Sequence, residues 1–192
     1  MTDSSTDDAE PGFRKPRRVS GSRLQFRNAT DADADFILSL RLDPNKNRHL
    51  SATSPDREAQ VRWLRGYRDD DEQVYFIIED GDGRPVGTVR LYDRRGPSFC
   101  WGSWILADNA PRSAAIESTV LVYSIATALG FTRAHFDVRK DNKKVWEYHE
   151  RLGAERVGED GEDFFYAMEE EAICELLRRY QDRVPAGARI EW

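Results

Sequence analysis

The sequence is poor in cysteine, since its 192 residues contain only Cys100 and Cys174. Two cysteines cannot build the disulfide framework of a small secreted domain, and no zinc-binding spacing is present. We therefore expect two reduced thiols and no bound metal. Long apolar runs are also absent: the longest charge-free stretch, residues 118–132, falls short of the ~20 residues of a membrane span. That stretch is expected to form a buried helix.

The sequence also has no excess of positive charge. The chain has 29 Lys and Arg residues against 35 Asp and Glu residues, a formal net charge of −6. A surface that binds nucleic acid along its length needs more cations, so we expect no nucleic-acid partner. The first residues are acidic and polar, without an apolar signal segment, and the predicted location is cytoplasmic.

The composition is that of one water-soluble domain with tails, because 39% of the residues are hydrophobic and 33% are charged. Residues 1–22 are rich in Asp, Ser, Pro and Arg and are predicted to be a disordered tail. Residues 185–192 are predicted to be a flexible C-terminal tail. The folded domain is therefore expected over residues 23–184.

Between these tails, hydrophobic residues alternate between the period of a strand and that of a helix. The predicted strands cover residues 24–28, 74–79, 85–92, 98–106, 134–139, 155–158 and 163–168. The predicted helices begin at Thr30 and Ser54, and then cover residues 111–129, 143–152 and 169–182. This order predicts an α/β fold: a mixed, mostly antiparallel sheet with one parallel crossover and helices on both faces.

Two helix starts carry specific signals. Thr30 is followed three residues later by Asp33, which is an acidic variant of the capping box. Ser54 is followed by Pro55, which is the typical order of an N-cap and a first helical residue. The sequence therefore predicts that the first two helices begin at these positions.

Three segments resemble a known family. Residues 24–30 read Leu-Gln-Phe-Arg-Asn-Ala-Thr, residues 86–89 read Val-Gly-Thr-Val, and residues 138–154 run from a strand through Asn142 and a helix to Gly153. Over roughly residues 23–170 the chain resembles the GNAT superfamily of acyl-CoA-dependent N-acyltransferases. Within it, the sequence is most similar in character to ribosomal-protein alanine acetyltransferases and to sugar-nucleotide amine acetyltransferases. The resemblance implies the GNAT fold.

The resemblance also implies that a helix start near Arg112 binds CoA. The family carries the pattern Q/R-x-x-G-x-G/A there, and the corresponding residues of this chain are Arg112, Ser113, Ala114, Ala115, Ile116 and Glu117. Ala115 and Glu117 depart from the pattern. A helix N-terminus still offers free N–H groups and a positive dipole end to a diphosphate. The alternative is a plain helix start without a ligand.

Further cofactor contacts are implied along the strand Ser98–Leu106 and at Asn142. By resemblance, Trp104, Ile105 and Leu106 lie where the strand separates from its neighbour and binds the pantetheine arm, with an N–H near Ile105 serving the thioester oxyanion. Asn142 is expected to hold the same arm, with a simple helix N-cap as the alternative. Because Trp101 and Trp104 are three residues apart, a regular strand would place them on opposite faces.

His149 is the residue expected to face the sulfur of CoA. The family commonly places a tyrosine acid seven residues after the asparagine, where this chain has His149, with Tyr148 beside it. At ~100° per residue, His149 falls on the side of the helix that Asn142 occupies, whereas Tyr148 falls on an apolar stripe expected to pack on the sheet. The general base stays open, with candidates by residue type alone at Glu79, Glu117, His135 and Asp137.

Together, the motifs and the resemblance predict an N-acetyltransferase with acetyl-CoA as the acyl donor. The expected acceptor is a primary amine of a small molecule, of an amino-sugar nucleotide or of a peptide N-terminus. The weak CoA segment and the missing tyrosine leave open an alternative, a catalytically degenerate relative that acts as an acyl-CoA sensor or interaction partner. No membrane partner is expected, and a homodimer is left open.

Overall fold

The alternating periods of the sequence fold into one sheet with helices packed on it. The computed structural model of the protein describes residues 10–192. Its strands are β1 Arg18–Ser20, β2 Leu24–Asn28, β3 Val74–Asp80, β4 Pro85–Arg95, β5 Ser98–Leu106, β6 Arg133–Arg139, β7 Glu155–Glu159, β8 Asp163–Met168 and β9 Arg189–Glu191. Its α-helices are α1 Ala34–Arg41, α2 Arg57–Arg68, α3 Ala114–Ala128, α4 Lys143–Arg151 and α5 Glu170–Arg179.

The sheet has the mixed topology that the sequence predicts. Its strand order is β7-β8-β6-β5-β4-β3-β2-β1-β9. Within the described residues, β5 and β6 form the parallel pair and the other neighbouring strands are antiparallel. The helix α3 makes the connection between β5 and β6, as expected for a parallel crossover.

Alternation along β3 shows how the sheet divides the core. Val74, Phe76 and Ile78 belong to the large hydrophobic cluster that contains residues of α3, α4 and α5. Tyr75 and Ile77 belong to a second cluster with residues of α1 and α2. Successive side chains of a strand point to opposite faces, so each face of the sheet carries its own layer of helices. The expectation of helices on both faces is confirmed.

The predicted tails differ from the structure. Residues 1–9 lie outside the described residues, but Arg18–Ser20 is a strand between β2 and β9. Arg18 pairs with Glu191 across the β1–β9 ladder, and Val19 is 0% exposed. The prediction of loose segments is therefore wrong at residues 18–20 and 189–191. Composition missed these strands because each is only three residues long and the two strands pair with each other across nearly the whole length of the chain.

The capping box of the first helical segment is confirmed. The Asp33 Oδ2 accepts from the backbone N–H of Thr30 at 2.8 Å. The predicted start of the second helix is wrong by two residues. Asp56, not Ser54, is the N-cap of α2, and its side chain accepts from the N–H groups of Glu58 at 2.9 Å and Ala59 at 3.1 Å. An aspartate at this place satisfies two free donors and adds a negative charge at the positive end of the helix dipole.

The carboxylate of Glu117 joins α3 to the turn between β1 and β2. Glu117 is 1% exposed, and its Oε1 accepts from the backbone N–H groups of Ser22 at 2.7 Å, Arg23 at 2.7 Å and Leu24 at 2.9 Å. Gly21 is required beside it, because a Cβ there would stand 2.6 Å from that oxygen. The unusual glutamate of the predicted CoA segment is thus a structural acceptor for the chain turn.

We predict that Glu117→Ala lowers the free energy of unfolding by at least about 3 kcal/mol, because three buried N–H donors lose their charged acceptor. Chemical denaturation of the variant and the wild type measures the difference. Glu155→Ala, at an exposed residue of β7, is the matched control and should change stability by less than about 0.5 kcal/mol. Equal stability of the two variants would contradict the role given to Glu117.

Candidate active site

The sheet opens between its two parallel strands. Pairing of β5 with β6 covers Ser98 to Cys100, which face Arg133 to His135, and no further pairs follow within the described residues. Beyond Cys100, β5 stays on β4 while β6 continues on β8. The backbone edge of β5 from Trp101 onward is therefore left facing a gap, which is the separation that the resemblance implies.

A bulge in β5 shapes one wall of this gap. The pairs Thr88–Ile105 and Arg90–Gly102 span two steps on β4 but three steps on β5. The extra residue is accommodated at Ser103, which adopts a φ of 47°, a left-handed conformation that is uncommon for serine. The bulge redirects the side chains that follow it.

The prediction that Trp101 and Trp104 lie on opposite faces is wrong. Their ring centroids are 5.4 Å apart, and the Nε1 of Trp104 donates to the Ser118 hydroxyl of α3 at 3.1 Å. The added residue at Ser103 shifts the strand period by one, so both indoles lie on the α3 face. Together they form an aromatic wall of the gap.

A cavity of about 310 Å³, which we call the central cavity, occupies the gap. It takes residues from β4, β5, β6, α1, α4 and the loop between α1 and α2. The residues that line it are Arg41, His49, Leu50, Ser51, Tyr92, Cys100, Trp101, Gly102, Ser103, Trp104, Phe136, Asp137, Val138, Arg139, Asn142, Val145 and His149. The structure thus brings three residues predicted from the sequence, Trp104, Asn142 and His149, into one cavity.

The loop after α1 closes the rim of the central cavity. The His49 Nδ1 lies 3.0 Å from Oδ1 of Asp141, in the turn before α4, and Arg48 lies 3.6 Å from the same carboxylate. These contacts bring the loop that carries His49 and Leu50 against the start of α4. The residues of this loop carry no periodic signal in the sequence that would place them against α4.

Asn142 is the N-cap residue of α4, but its side chain makes no cap hydrogen bond. Its backbone oxygen accepts from the N–H groups of Val145 at 3.0 Å and Trp146 at 3.2 Å, so the first turn is held by the main chain. The carboxamide is a wall of the central cavity instead. An amide there offers both a donor and acceptors to a ligand.

His149 lies deep in the wall of the central cavity and is 6% exposed. Its ring centroid is 4.5 Å from that of Phe136 and 5.3 Å from that of Trp101. Burial in this aromatic environment lowers the pKa of His149 to about 4, because the charged imidazolium is poorly solvated there. The ring is therefore neutral at pH 7 and carries one N–H donor and one acceptor.

The hydroxyl of Tyr148 points to α3 rather than into the central cavity. It lies 2.9 Å from the Thr119 hydroxyl and 3.2 Å from the carbonyl oxygen of Ala115, while its ring packs on Trp104 at 5.6 Å between centroids. Burial raises the pKa of Tyr148 to about 12. The neighbours Tyr148 and His149 thus occupy different environments. The expectation that Tyr148 packs on the sheet holds only for its ring against Trp104, since its hydroxyl bonds α3.

The predicted CoA segment forms a separate cavity of about 540 Å³ at the start of α3, which we call the α3 cavity. Arg112, Ser113 and Ile116 line it, together with Arg23 and Arg183. Ser113 is the N-cap residue of α3, and its Oγ is buried without a hydrogen-bond partner among residues 10–192. The unpaired hydroxyl, the helix N-terminus and three guanidinium groups suit an anionic ligand, and the carboxyl groups of Glu117 and Asp182 also line the cavity.

Four of the residues predicted to bind the cofactor line neither of these cavities. Ala114 is buried under the first turn of α3, and the carbonyl of Ala115 accepts from side chains of α3 and α4. Ile105 is buried and pairs with Thr88, and Leu106 packs against the core. Any contact of these residues with a ligand would come from their backbone groups.

The four candidates for the general base separate clearly. Glu79 ion-pairs with an arginine of β2 at 2.6 Å, and Glu117 accepts from backbone N–H groups. The His135 Nδ1 lies 2.7 Å from a serine hydroxyl of β5. Asp137 alone of the four lines the central cavity. Geometry therefore favours Asp137 over the others for contact with a ligand there.

A third cavity, also about 310 Å³, lies beside the central cavity on the α1 and α2 face, and we call it the side cavity. The two share Arg41, Ser51 and Ser103 as walls. Sequence reasoning missed Arg41 and Arg90, which line the side cavity. Arg90 stands between the apolar Val89 and Leu91 of a buried strand, a signal that could have singled it out.

No group of three or more His, Cys, Asp or Glu side chains in the described part of the chain is arranged to hold a metal ion. Within residues 10–192, every helix is too short or too polar to cross a membrane.

Comparison with known proteins agrees with this geometry. The family model described as "Acetyltransferase (GNAT) domain" matches residues 23–155. Among solved structures, apo FdhC, a nucleotide-linked sugar GNAT, is 37% identical, with a TM-score of 0.79 over 86% of this chain and 97% of that chain. No curated protein sequence is similar enough to the chain to count as a match.

Two more distant structures share the fold. A GCN5-related N-acetyltransferase from Brucella melitensis is 17% identical, with a TM-score of 0.73 over 91% of this chain and 88% of that chain. Spermidine N-acetyltransferase from Vibrio cholerae, in complex with CoA and spermine, is 16% identical, with a TM-score of 0.71 over 79% of this chain and 98% of that chain.

We predict that the buried His149 makes the fold sensitive to acid. Its pKa is about 4 in the folded state against 6.5 for the ordinary group, so the unfolded chain binds a proton here between these values and the folded chain does not. Stability present above pH 6.5 is thus lost as the pH falls towards 4. Between about pH 7 and 4.5 the wild type should lose about 2–3 kcal/mol more unfolding free energy than His149→Phe.

Denaturant titrations at each pH measure this difference. Tyr148→Phe keeps the histidine and is the matched control, so its profile should follow the wild type. Parallel profiles of the wild type and His149→Phe would contradict the burial argument.

Proposed function

We propose that the protein transfers an acetyl group from acetyl-CoA to a primary amine of a small molecule. The proposal starts from the family, because the chain belongs to the GNAT acetyltransferases. The observation that carries the proposal is the gap between β5 and β6. It leaves the backbone edge of β5 unpaired beside a cavity that contains both Asn142 and His149. An extended amide-containing chain adds to such an edge as a further strand would.

The residues present fit an acyl-CoA. The buried, unpaired hydroxyl of Ser113 lies at the start of α3, beside Arg112, where a diphosphate finds donors and positive charge. The uncapped carboxamide of Asn142 and the edge of β5 supply donors and acceptors for the amides of the pantetheine arm. In this arrangement the acyl end lies in the central cavity, beside the packed rings of Trp101, Trp104 and His149.

Acetyl-CoA supplies the acetyl group as a thioester. In the reaction the amine forms the new C–N bond and the C–S bond breaks. The amine gives up one proton to a base, and the departing thiolate takes one proton from solvent. A backbone N–H of β5 near Ile105 stabilises the oxyanion on the carbonyl oxygen. Because His149 is neutral at pH 7, its N–H donates a hydrogen bond to the departing sulfur instead of transferring its own proton. Asp137, which lines the central cavity, is the base that we propose for the proton of the amine.

Among acceptors, an amino-sugar nucleotide is favoured. FdhC is 37% identical over 86% of this chain and is described as acting on nucleotide-linked sugars. The spermidine enzyme is 16% identical, so its polyamine acceptor carries little weight here. A peptide N-terminus has no comparable support. The proposal also places the reaction in the cytoplasm, where Cys100 and Cys174 stay reduced.

One observation favours the second candidate, an acyl-CoA sensor without turnover. Glu117 lines the α3 cavity, so a carboxylate borders the position proposed for the diphosphate. Its charge is compensated by three N–H donors, which makes the repulsion smaller than for a bare carboxylate. Binding of acetyl-CoA without turnover of any amine would support this second candidate.

We predict that acetyl-CoA at about 100 times its Kd stabilises the fold by about 2.7 kcal/mol, a Tm rise of about 5–10 °C. Asn142→Ala should weaken acetyl-CoA binding about tenfold in calorimetry, because the carboxamide faces the cavity. The same variant should keep its unfolding free energy within about 0.5 kcal/mol, because the side chain makes no cap hydrogen bond.

Asn109→Ala, at an exposed residue of the loop before α3, is the matched control and should bind acetyl-CoA as the wild type does. A loss of about 1 kcal/mol of stability in Asn142→Ala with unchanged binding would instead assign Asn142 as a plain N-cap.

We predict that His149→Phe lowers kcat about 10²- to 10³-fold, because one preorganised donor to developing charge is removed. Tyr148→Phe should stay within a few-fold of the wild type, because its hydroxyl is bonded to α3. Release of free thiol from acetyl-CoA is measured with UDP- and dTDP-linked amino sugars, spermidine and a peptide with a free N-terminus. An inactive Tyr148→Phe beside a fully active His149→Phe would reverse the two roles.

A further inference from the structure

The side cavity contains two arginines with no acidic partner. Arg41 at the end of α1 and Arg90 in β4 both line it. Neither guanidinium has a carboxylate oxygen within 4.0 Å among residues 10–192, whereas Arg27 pairs with both Asp33 and Glu79. Two half-buried cations side by side repel each other and are costly to desolvate unless an anion joins them.

Arg90 is the more enclosed of the two. It pairs with Tyr75 across the sheet and therefore points to the α1 and α2 face, and its Nε is buried without a hydrogen-bond partner among the described residues. Its guanidinium carbon lies 5.5 Å from the ring centroid of Trp63 and 4.7 Å from that of Tyr92. Burial lowers the pKa of Arg90 from its ordinary value, while Tyr92, Tyr75 and Asp70 act in the opposite direction and the charge of Arg41 adds a smaller lowering.

Arg41 is held in place by neutral oxygens only. Its Nε donates to the Thr53 hydroxyl at 2.7 Å, and its Nη2 donates to the Ser51 hydroxyl at 3.0 Å. Its Nη1 lies 3.4 Å from the hydroxyl of Ser103, the residue at the bulge of β5. These contacts orient the guanidinium without neutralising it.

The acidic residue of the cavity wall, Asp56, is committed elsewhere. Its Oδ1 accepts from two N–H groups at the start of α2, and its Oδ2 lies 3.6 Å from Arg62. The wall also carries Trp63, which is 40% exposed and stacks on Tyr67 with ring centroids 6.0 Å apart. The cavity thus combines two guanidinium groups that have no carboxylate partner among residues 10–192 with a partly exposed indole.

We propose that Arg41 and Arg90 bind a phosphate or diphosphate group of the acceptor, and that Trp63 stacks on a planar base attached to it. This inference rests on the proposed function, and it assigns the substrate class and the residues that select it. Guanidinium groups bind phosphate oxygens in bidentate fashion, and an indole is a good stacking surface for a nucleobase. Since Arg41 and Ser103 also line the central cavity, a ligand held here extends its amine towards His149.

The diphosphate of CoA does not explain these arginines. Its proposed place is the α3 cavity, which involves the helix on the other face of the sheet. Arg90 points to the face that carries α1 and α2. The sheet therefore separates two anion sites, one for each substrate.

Calorimetry on the full chain saturated with CoA tests the proposal, because the CoA site is then filled. Pyrophosphate, UDP and dTDP are the probes. We expect all three probes to bind the wild type, with an affinity that falls at higher salt. Arg41→Gln and Arg90→Gln should each raise the Kd of every probe at least tenfold. Trp63→Ala should weaken the binding of UDP and dTDP but leave the binding of pyrophosphate unchanged. Arg84→Gln, in the exposed turn between β3 and β4, is the matched control.

CoA binding and unfolding midpoints verify that each variant is folded. A second measurement compares kcat/KM for a UDP- or dTDP-linked amino sugar with that for the same amino sugar without phosphate, and we expect the arginine variants to reduce the ratio at least tenfold. The anion site is refuted if CoA binds but none of the probes does. It is also refuted if both arginine variants bind the probes as the wild type does. In either case the acetyltransferase proposal stands. If CoA itself fails to bind, the proposed function is refuted.

Discussion

The structure depends on one mismatch in its sheet: β5 follows β4 over its whole length but follows β6 for only three residues. The left-handed residue Ser103 locks the mismatch in place, because the extra residue on β5 tilts the strand away from β6. Everything that makes a site follows from this opening. The gap exposes backbone groups, the bulge turns two indoles to the same wall, and α4 closes the far side with Asn142 and His149.

Ionisable groups around the opening lie in three cavities. The imidazole of His149 is uncharged at pH 7 in its aromatic wall, while the guanidinium groups of Arg41 and Arg139 and the carboxyl group of Asp137 line the same cavity. Arg112 lies at the start of α3, and Arg41 and Arg90 line the side cavity on the α1 and α2 face. Under the proposed function, these arginines give two anionic substrates separate cationic sites.

Much of the fold could be predicted from the sequence because the helices and strands follow from the local periodicity of hydrophobic residues. β5 was predicted to the residue, and the positions of Asn142 and His149 on one helix face follow from helical geometry. The errors arose where the position of a residue depends on segments distant in sequence. Val19 is buried where β1 lies between β2 and β9, and Trp101 meets Trp104 because β4 and β5 pair out of step. Arg90 stands between the apolar Val89 and Leu91, which marks it as unusual, but the cavity that it lines is formed by segments distant in sequence.

The ladder between β1 and β9 has a consequence for assembly of the sheet. Arg18 meets Glu191, so this ladder closes one of the longest loops available to the chain and has a high entropic cost. Until residues 189–191 arrive, β1 presents an unpaired edge on which another extended chain could grow. The short length of β1 limits that risk. Loop-closure entropy therefore favours pairing of β9 with β1 after ladders between segments nearer in sequence have formed.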